Sequence, residues 1–188
     1  MTTKYFGILA AIFFLLSCGG TPREQETTKE NDAPAMESFM TNLSLYCGET
    51  LAGEVFADHQ RPELAGSPME FIFEKCTENE VRIRTNFPAE EQIIIILTLI
   101  NDELLLKHDV RDASLAPGQI TMYGGFSDQR GSSHIQIFPV HNFGGDMWPG
   151  YENYSWEICI DEEKGSFEYI ETAENMIKKH YKATLPSL

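Results

Sequence analysis

The chain has 188 residues, with 29 acidic against 14 basic side chains and a net charge of −15. So acidic a surface repels phosphate backbones and anionic head groups, which excludes nucleic acid as a partner and membrane binding through a basic patch. Charge does not decide the fold, and residues 36–188 are enough for one domain with a full hydrophobic core.

Met1-Thr2-Thr3-Lys4 opens the chain with one added positive side chain, and Tyr5 to Leu16 carry none. Those twelve residues make a helix of roughly 18 Å, short of the roughly 30 Å hydrocarbon core. Such a length fits the apolar region of a signal peptide better than a membrane span. The run ends in Leu15-Leu16-Ser17-Cys18-Gly19, an apolar residue, a small one, then Cys, and it resembles the bacterial lipobox. The resemblance implies that residues 1–17 are removed, that Cys18 is lipidated on its thiol and its new amine, and that lipid holds the protein to a membrane of the cell envelope. Each buried methylene contributes about 0.8 kcal/mol, so several acyl chains anchor firmly where one does not. The alternative is an ordinary secretory leader, which Leu15 fits poorly because such a cut prefers a small residue there. Gly19 is not the Asp that resembles an inner-membrane retention signal, which favours the outer membrane.

From Gly19 to Ala35 there is no aromatic and no large aliphatic residue. Such a stretch cannot bury enough apolar surface to offset its entropy, so residues 18–35 are expected to be the lipidated Cys and a flexible tether. Loss of the leader removes only Lys4 among the charges, leaving 13 basic against 29 acidic.

Three further cysteines remain, Cys47, Cys76 and Cys159. Export places them where disulfides persist, and an odd number leaves at least one unpaired in a monomer. The expected pair is Cys47–Cys76, tying an N-terminal helix to an early hairpin; three buried thiols are the alternative. In Trp156-Glu157-Ile158-Cys159-Ile160, Cys159 faces away from the core if Trp156, Ile158 and Ile160 face it. No Cys has a second Cys or a His at ligand spacing, so no metal site is assigned.

Phe39, Leu43, Tyr46 and Cys47 share one face at helical spacing, which predicts a helix over Glu37–Cys47 stopped by Gly48. Beyond it the pattern predicts strands at Leu51–Ala57, Met69–Lys75, Glu80–Thr85, Gln92–Ile100, Glu103–His108, Gln119–Tyr123, His134–Val140, Tyr154–Ile160 and Ser166–Ile170. Short turns such as Asn101-Asp102 favour antiparallel pairing. Ile93 to Ile100 is apolar on both faces, which predicts a central strand with core on one side and a helix, tail or partner on the other. Met176, Ile177, His180 and Tyr181 form one helical stripe over Thr172–Lys182, with acids before and lysines after, and predict a covering helix. The fold expected is all-β: an antiparallel meander of eight or nine strands with a short helix at each end, as a lipocalin-like barrel in preference to a sandwich.

The densest polar cluster is Lys107-His108-Asp109-Val110-Arg111-Asp112. Together with Cys47-Gly48, Cys76 and Thr121-Met122-Tyr123-Gly124-Gly125, it resembles a family of bacterial exported proteins that has no assigned activity. That likeness runs from Tyr46 to Pro139 and implies the same Cys47–Cys76 pair but no reaction. Members often carry a second His where this chain has Val110. An enzyme, hydrolase-like, would use His108 oriented by Asp109 or Asp112 as a base, with Arg111 nearby. No G-x-S-x-G elbow supplies a nucleophile. A metal set from His108, His134 and His141 would need three strands to converge. In the simpler reading His108 and Asp109 end a strand on the rim, and His108→Ala leaves stability nearly unchanged. A second cluster, His141 to Tyr151, spaces Phe143, Trp148 and Tyr151 among glycines. With Tyr123, these rings are the candidate ligand contacts, suited to stacking on sugars or apolar molecules, or to plugging a barrel end. Gly124-Gly125 lacks the third glycine and helix of a nucleotide site, and no cofactor is implied. The expected function is a non-enzymatic binding module for a small ligand, a glycan or an envelope protein. The alternatives are the enzyme above and a structural protein that pairs through the Ile93–Ile100 strand.

Overall fold

The computed structural model describes residues 32–87, 91–118, 120–128, 130–140 and 153–186. Helix α1 (Asp32–Ser44) precedes the strands β1 (Thr50–Asp58), β2 (Pro68–Cys76), β3 (Glu80–Asn86), β4 (Gln92–Ile100), β5 (Glu103–Arg111), β6 (Tyr123–Phe126), β7 (Ile135–Pro139), β8 (Tyr154–Asp161), β9 (Ser166–Ala173) and β10 (Met176–Thr184). Every pairing is antiparallel, in the order β6-β5-β4-β3-β2-β1-β10-β9-β8-β7. Two meanders, β1–β6 and β7–β10, therefore meet where the first strand pairs with the last. Val55 lies opposite Tyr181 and Gly53 opposite Ala183. A Cβ on Gly53 would fall 2.3 Å from the Lys182 carbonyl oxygen, so only glycine lets these strands approach. The outer edges meet too, through the Asp128 N–H, which donates to the Ile137 carbonyl at 2.9 Å. The result is a nearly closed barrel.

Period-two alternation sets the interior. Phe71 and Phe73, Val81 and Ile83, Ile93, Ile95 and Leu97, Leu104 and Leu106, Ile158 and Ile160, and Phe167 are all buried there. Rings of Phe71 and Phe73 meet Phe167 edge-on at 4.8 and 5.6 Å. The outer wall is charged: Lys75 and Arg82 both reach Glu80, at 2.7 and 2.9 Å, and Lys182 reaches Glu168 at 3.1 Å.

Helix α1 lies at the end where β3, β5 and β7 begin. Met36, Phe39, Met40 and Leu43 are buried, and the Asn42 amide donates to the Ser133 carbonyl at 2.9 Å. Cys47 and Cys76 are bonded, tying the turn after the helix to the end of β2. Cys159 is unpaired and faces outward, while Trp156, Ile158 and Ile160 face the core.

Four expectations need correction. The segment predicted as a C-terminal helix is strand β10, the tenth strand, and it is the partner of both β1 and β9. The helix expected from Glu37 begins at Asp32, inside the stretch read as tether. The strand expected at Gln119–Tyr123 is shifted to Tyr123–Phe126: Met122, just before it, has φ 59°, a left-handed conformation that does not continue a strand. Among the described residues no helix covers β4, the first of the covers expected for it: Ile96 stands on the outer face between Arg82 and Lys107 of the neighbouring strands, and long basic side chains can lay their stems along such a neighbour.

Candidate functional site

At the end opposite α1 the barrel interior turns polar. Alternation on β9 carries Phe167, Tyr169 and Glu171 inward, and on β10 Lys179 and Tyr181. Lys179 Nζ lies 3.2 Å from Glu171 Oε1 and 3.3 Å from Oε2. The Trp156 indole N–H donates to the same Oε2 at 3.1 Å. Across β1 and β10, Asp58 pairs in register with Lys179. Asp58 is buried and accepts from the main-chain N–H groups of Gln60 and Arg61 at 3.0 and 2.9 Å, and from the Arg61 guanidinium at 3.1 Å. The Tyr181 hydroxyl donates to Asp58 at 3.4 Å. Arg61 in turn stands 5.2 Å from the centre of the Phe87 ring, which packs on Tyr181.

His108 is at the centre of the aromatic part. Its ring stacks on Tyr123 at 4.7 Å, with Trp156 at 4.9 Å and Tyr169 at 5.8 Å. Nδ1 faces the Tyr123 carbonyl at 3.2 Å. A carbonyl only accepts, so Nδ1 carries the proton and Nε2 accepts the Tyr169 hydroxyl at 3.0 Å. Burial pulls the imidazole pKa down to about 3, and the Lys179 charge pulls in the same direction against the Tyr123 carbonyl. Burial also raises the hydroxyls of Tyr169 and Tyr181, helped by Glu171 at the first and Asp58 at the second. Every buried side-chain polar atom among the described residues has a hydrogen-bond partner.

The cluster expected at residues 108–112 is divided by the strand it sits on. His108 points inside and is fully buried, so it is not a rim residue. Asp109 and Arg111 point outward and pair with each other at 2.7 Å, with the Thr121 hydroxyl donating to Asp109 at 3.2 Å. Asp112 is exposed and folds its own loop, accepting from Ser114 and Ala116 at 2.9 and 3.0 Å. Neither aspartate orients His108. His134 is exposed at the α1 end, the far end from His108, and hydrogen-bonds to Ser133 at 2.9 Å. Among the described residues no group of His, Cys, Asp and Glu is placed to hold a metal. Tyr123 belongs to the interior cluster. His141, Phe143, Trp148 and Tyr151 lie outside the described residues. Gly124 has a packing role: a Cβ there would fall 1.9 Å from the Leu106 carbonyl oxygen, closing the approach of β6 to β5.

Sequence reasoning missed Asp58, Arg61, Glu171 and Lys179. Glu171 had a signal, a charge on the inward phase of Phe167 and Tyr169. Lys179 shares the inward phase of Tyr181 and Ala183, but the register shift between Ile177 and Lys179 breaks the alternation before it and hides that phase.

Two cavities described by the structure open at this same end. One, of about 510 Å³, is lined by Pro139, Val140, Asn153, Tyr154, Ser155, Glu174, Asn175 and Arg130. The other, of about 170 Å³, lies by Phe87, Gln92, Asp112 and Leu115. Replacing a buried ion pair by apolar residues is often neutral or stabilising, so stability alone does not account for Lys179–Glu171 in this place. Comparison with protein-family models, with curated proteins and with solved structures finds no match for this chain.

Proposed function

We propose that this is a non-enzymatic binding module, lipid-anchored at Cys18 to the bacterial cell envelope, that receives a small ligand at the polar mouth of its barrel. The observation that carries this reading is that both described cavities open at the end whose barrel interior holds the buried charged and aromatic cluster, while α1 lies at the other. Binding sites are concave, with a few convergent polar groups and perturbed titrations, and this end has all three. The charged outer wall favours a barrel standing in water rather than in a bilayer. The resemblance to exported bacterial proteins and the leader at residues 1–17 support the envelope as its place.

Catalysis through His108 is disfavoured. Both ring nitrogens are engaged, the ring is neutral, and no nucleophile faces it among the partners described. A protein partner is the second reading, favoured by Phe56 and Ile177, which are 58% and 44% exposed on the outside of β1 and β10.

The full-length protein, purified from membranes, is expected to show two masses: acylated mature chain when denatured, and a heavier native species whose excess is a bound small molecule. A bare native mass, together with a melting temperature that no small molecule raises, would overturn the ligand reading and leave the protein partner. Cys18→Ser is expected to abolish the acyl mass and move the protein to the soluble fraction; unchanged membrane association would sink the anchor.

A further inference from the structure

We infer that the larger groove at the mouth is a binding site for a neutral saccharide. This deepens the reading of the mouth as the binding end and rests on it. The groove has about 510 Å³ of space, within the range of small-ligand sites.

Its lining decides the class. Asn153 and Asn175 bring amides, which donate and accept. Glu174 accepts. Arg130 donates, and Asp128 holds its guanidinium from the side, through Nε at 2.7 Å. Two nitrogens of the fork are used in that pair, and the third carries further donors. Pro139 adds flat apolar surface, and Tyr154 lines the groove beside it from its place against the core, with Trp156 at 6.3 Å. A sugar ring matches this set. Each hydroxyl both donates and accepts, and the C–H face of the ring lies on flat apolar surface.

Other small-molecule classes fit worse. A lipid or fatty acid needs a cavity lined mainly by apolar side chains, whereas among the described residues five of the eight that line this one are Arg130, Asn153, Ser155, Glu174 and Asn175. A polyanion meets a protein of net charge −15. A cation would meet the Arg130 guanidinium in the same groove as Glu174.

The groove also rests on firm backbone. Glu174 and Asn175 form the β9–β10 turn at φ 53° and 61°, the left-handed region required by a tight hairpin. Glycine adopts that conformation freely, so Asn175→Gly removes the amide and keeps the turn. Arg130 is largely exposed, so Arg130→Ala removes the guanidinium without touching the core.

The test is isothermal titration of the full-length protein with triacetylchitotriose and with maltotriose, against trigalacturonate and palmitate. We expect saturable binding of a neutral trisaccharide, about tenfold weaker for Arg130→Ala and for Asn175→Gly, with melting temperatures unchanged. Neutral sugars that bind equally well to both variants would overturn the groove as the site. Palmitate or trigalacturonate binding where neutral sugars do not would overturn the saccharide class and leave the mouth as a binding end. No binding of any of the four would overturn the saccharide; a native mass also free of any bound small molecule would take the ligand reading with it.

Discussion

Lys179 and Glu171 have side chains only 11% and 2% exposed, so each charge depends on the other. Removing one partner of such a pair typically costs about 3–5 kcal/mol, because the remaining charge is buried alone. Lys179→Met should lower stability on that scale in urea denaturation. Glu171→Gln added to it should restore most of the loss, since Gln still accepts from Trp156. If the double variant is as unstable as the single one, the pair is not a coupled unit. His108 gives a pH dependence. Its pKa is 6.5 when unfolded and about 3 when folded, so between these values the unfolded chain takes a proton that the folded chain refuses. The stability contribution is complete above pH 6.5 and is lost as pH falls towards 3, at about 1.4 kcal/mol per pH unit. Between neutral pH and pH 5 this one group should remove about 2 kcal/mol. His108→Gln should flatten that limb of the stability curve, and an unchanged slope would assign the proton elsewhere. The expectation that His108→Ala is nearly harmless is replaced by a destabilised domain. The sequence shows His108 at the end of an apolar run, but not that the run continues to Arg111 and so places the ring inside. The buried charges were hidden for a related reason: polar residues at inward positions erase the alternation by which inward positions are recognised.

Among the elements, the strands from β1 to β5 and from β7 to β9 were legible because their turns and alternation agree. Asn101-Asp102 is an example, with φ of 50° and 65° at a two-residue hairpin turn. The last strand was not. Its inward residues are Lys179, Tyr181 and Ala183, of which one is charged and one small. The apolar residues Met176 and Ile177 sit exposed instead, and with Tyr181 they imitate a helical stripe. Helix α1 is held from two sides, by its buried face and by the Cys47–Cys76 bond just beyond it. The bond closes a chain separation of 29 residues, for which loop entropy gives about 3–4 kcal/mol. Cys47→Ala with Cys76→Ala should therefore lower the unfolding free energy by about that amount. A loss under about 1 kcal/mol would show that the residues between are already constrained in the unfolded chain.

Over the whole molecule, the barrel class was legible from strand density and short turns, and the polar mouth was not, because it assembles from β1, β5, β8, β9 and β10. Closing the barrel leaves neither β1 nor β10 as an edge. Deleting residues 176–188 would expose one side of β1 and of β9, and unpaired strand edges aggregate. That truncation should yield insoluble protein, whereas removal of Pro186 to Leu188 alone should not. A soluble, folded product from the longer deletion would mean that β10 is dispensable to the barrel.

The pairing of the first strand with the last also puts a clock on the molecule. Synthesis delivers β1 long before the strand that completes it, with Gly53 waiting for Ala183. Hairpins within each meander can form as they emerge, but the seam between meanders cannot zip until β10 has emerged. A nascent chain halted near residue 150 has every residue of the first meander, with β1 paired to β2 on one side and unpaired on the side that β10 fills. It should be cut readily by protease at sites that the β1–β10 pairing protects, and equal resistance of the halted and the released chain would show that the first meander folds without β10.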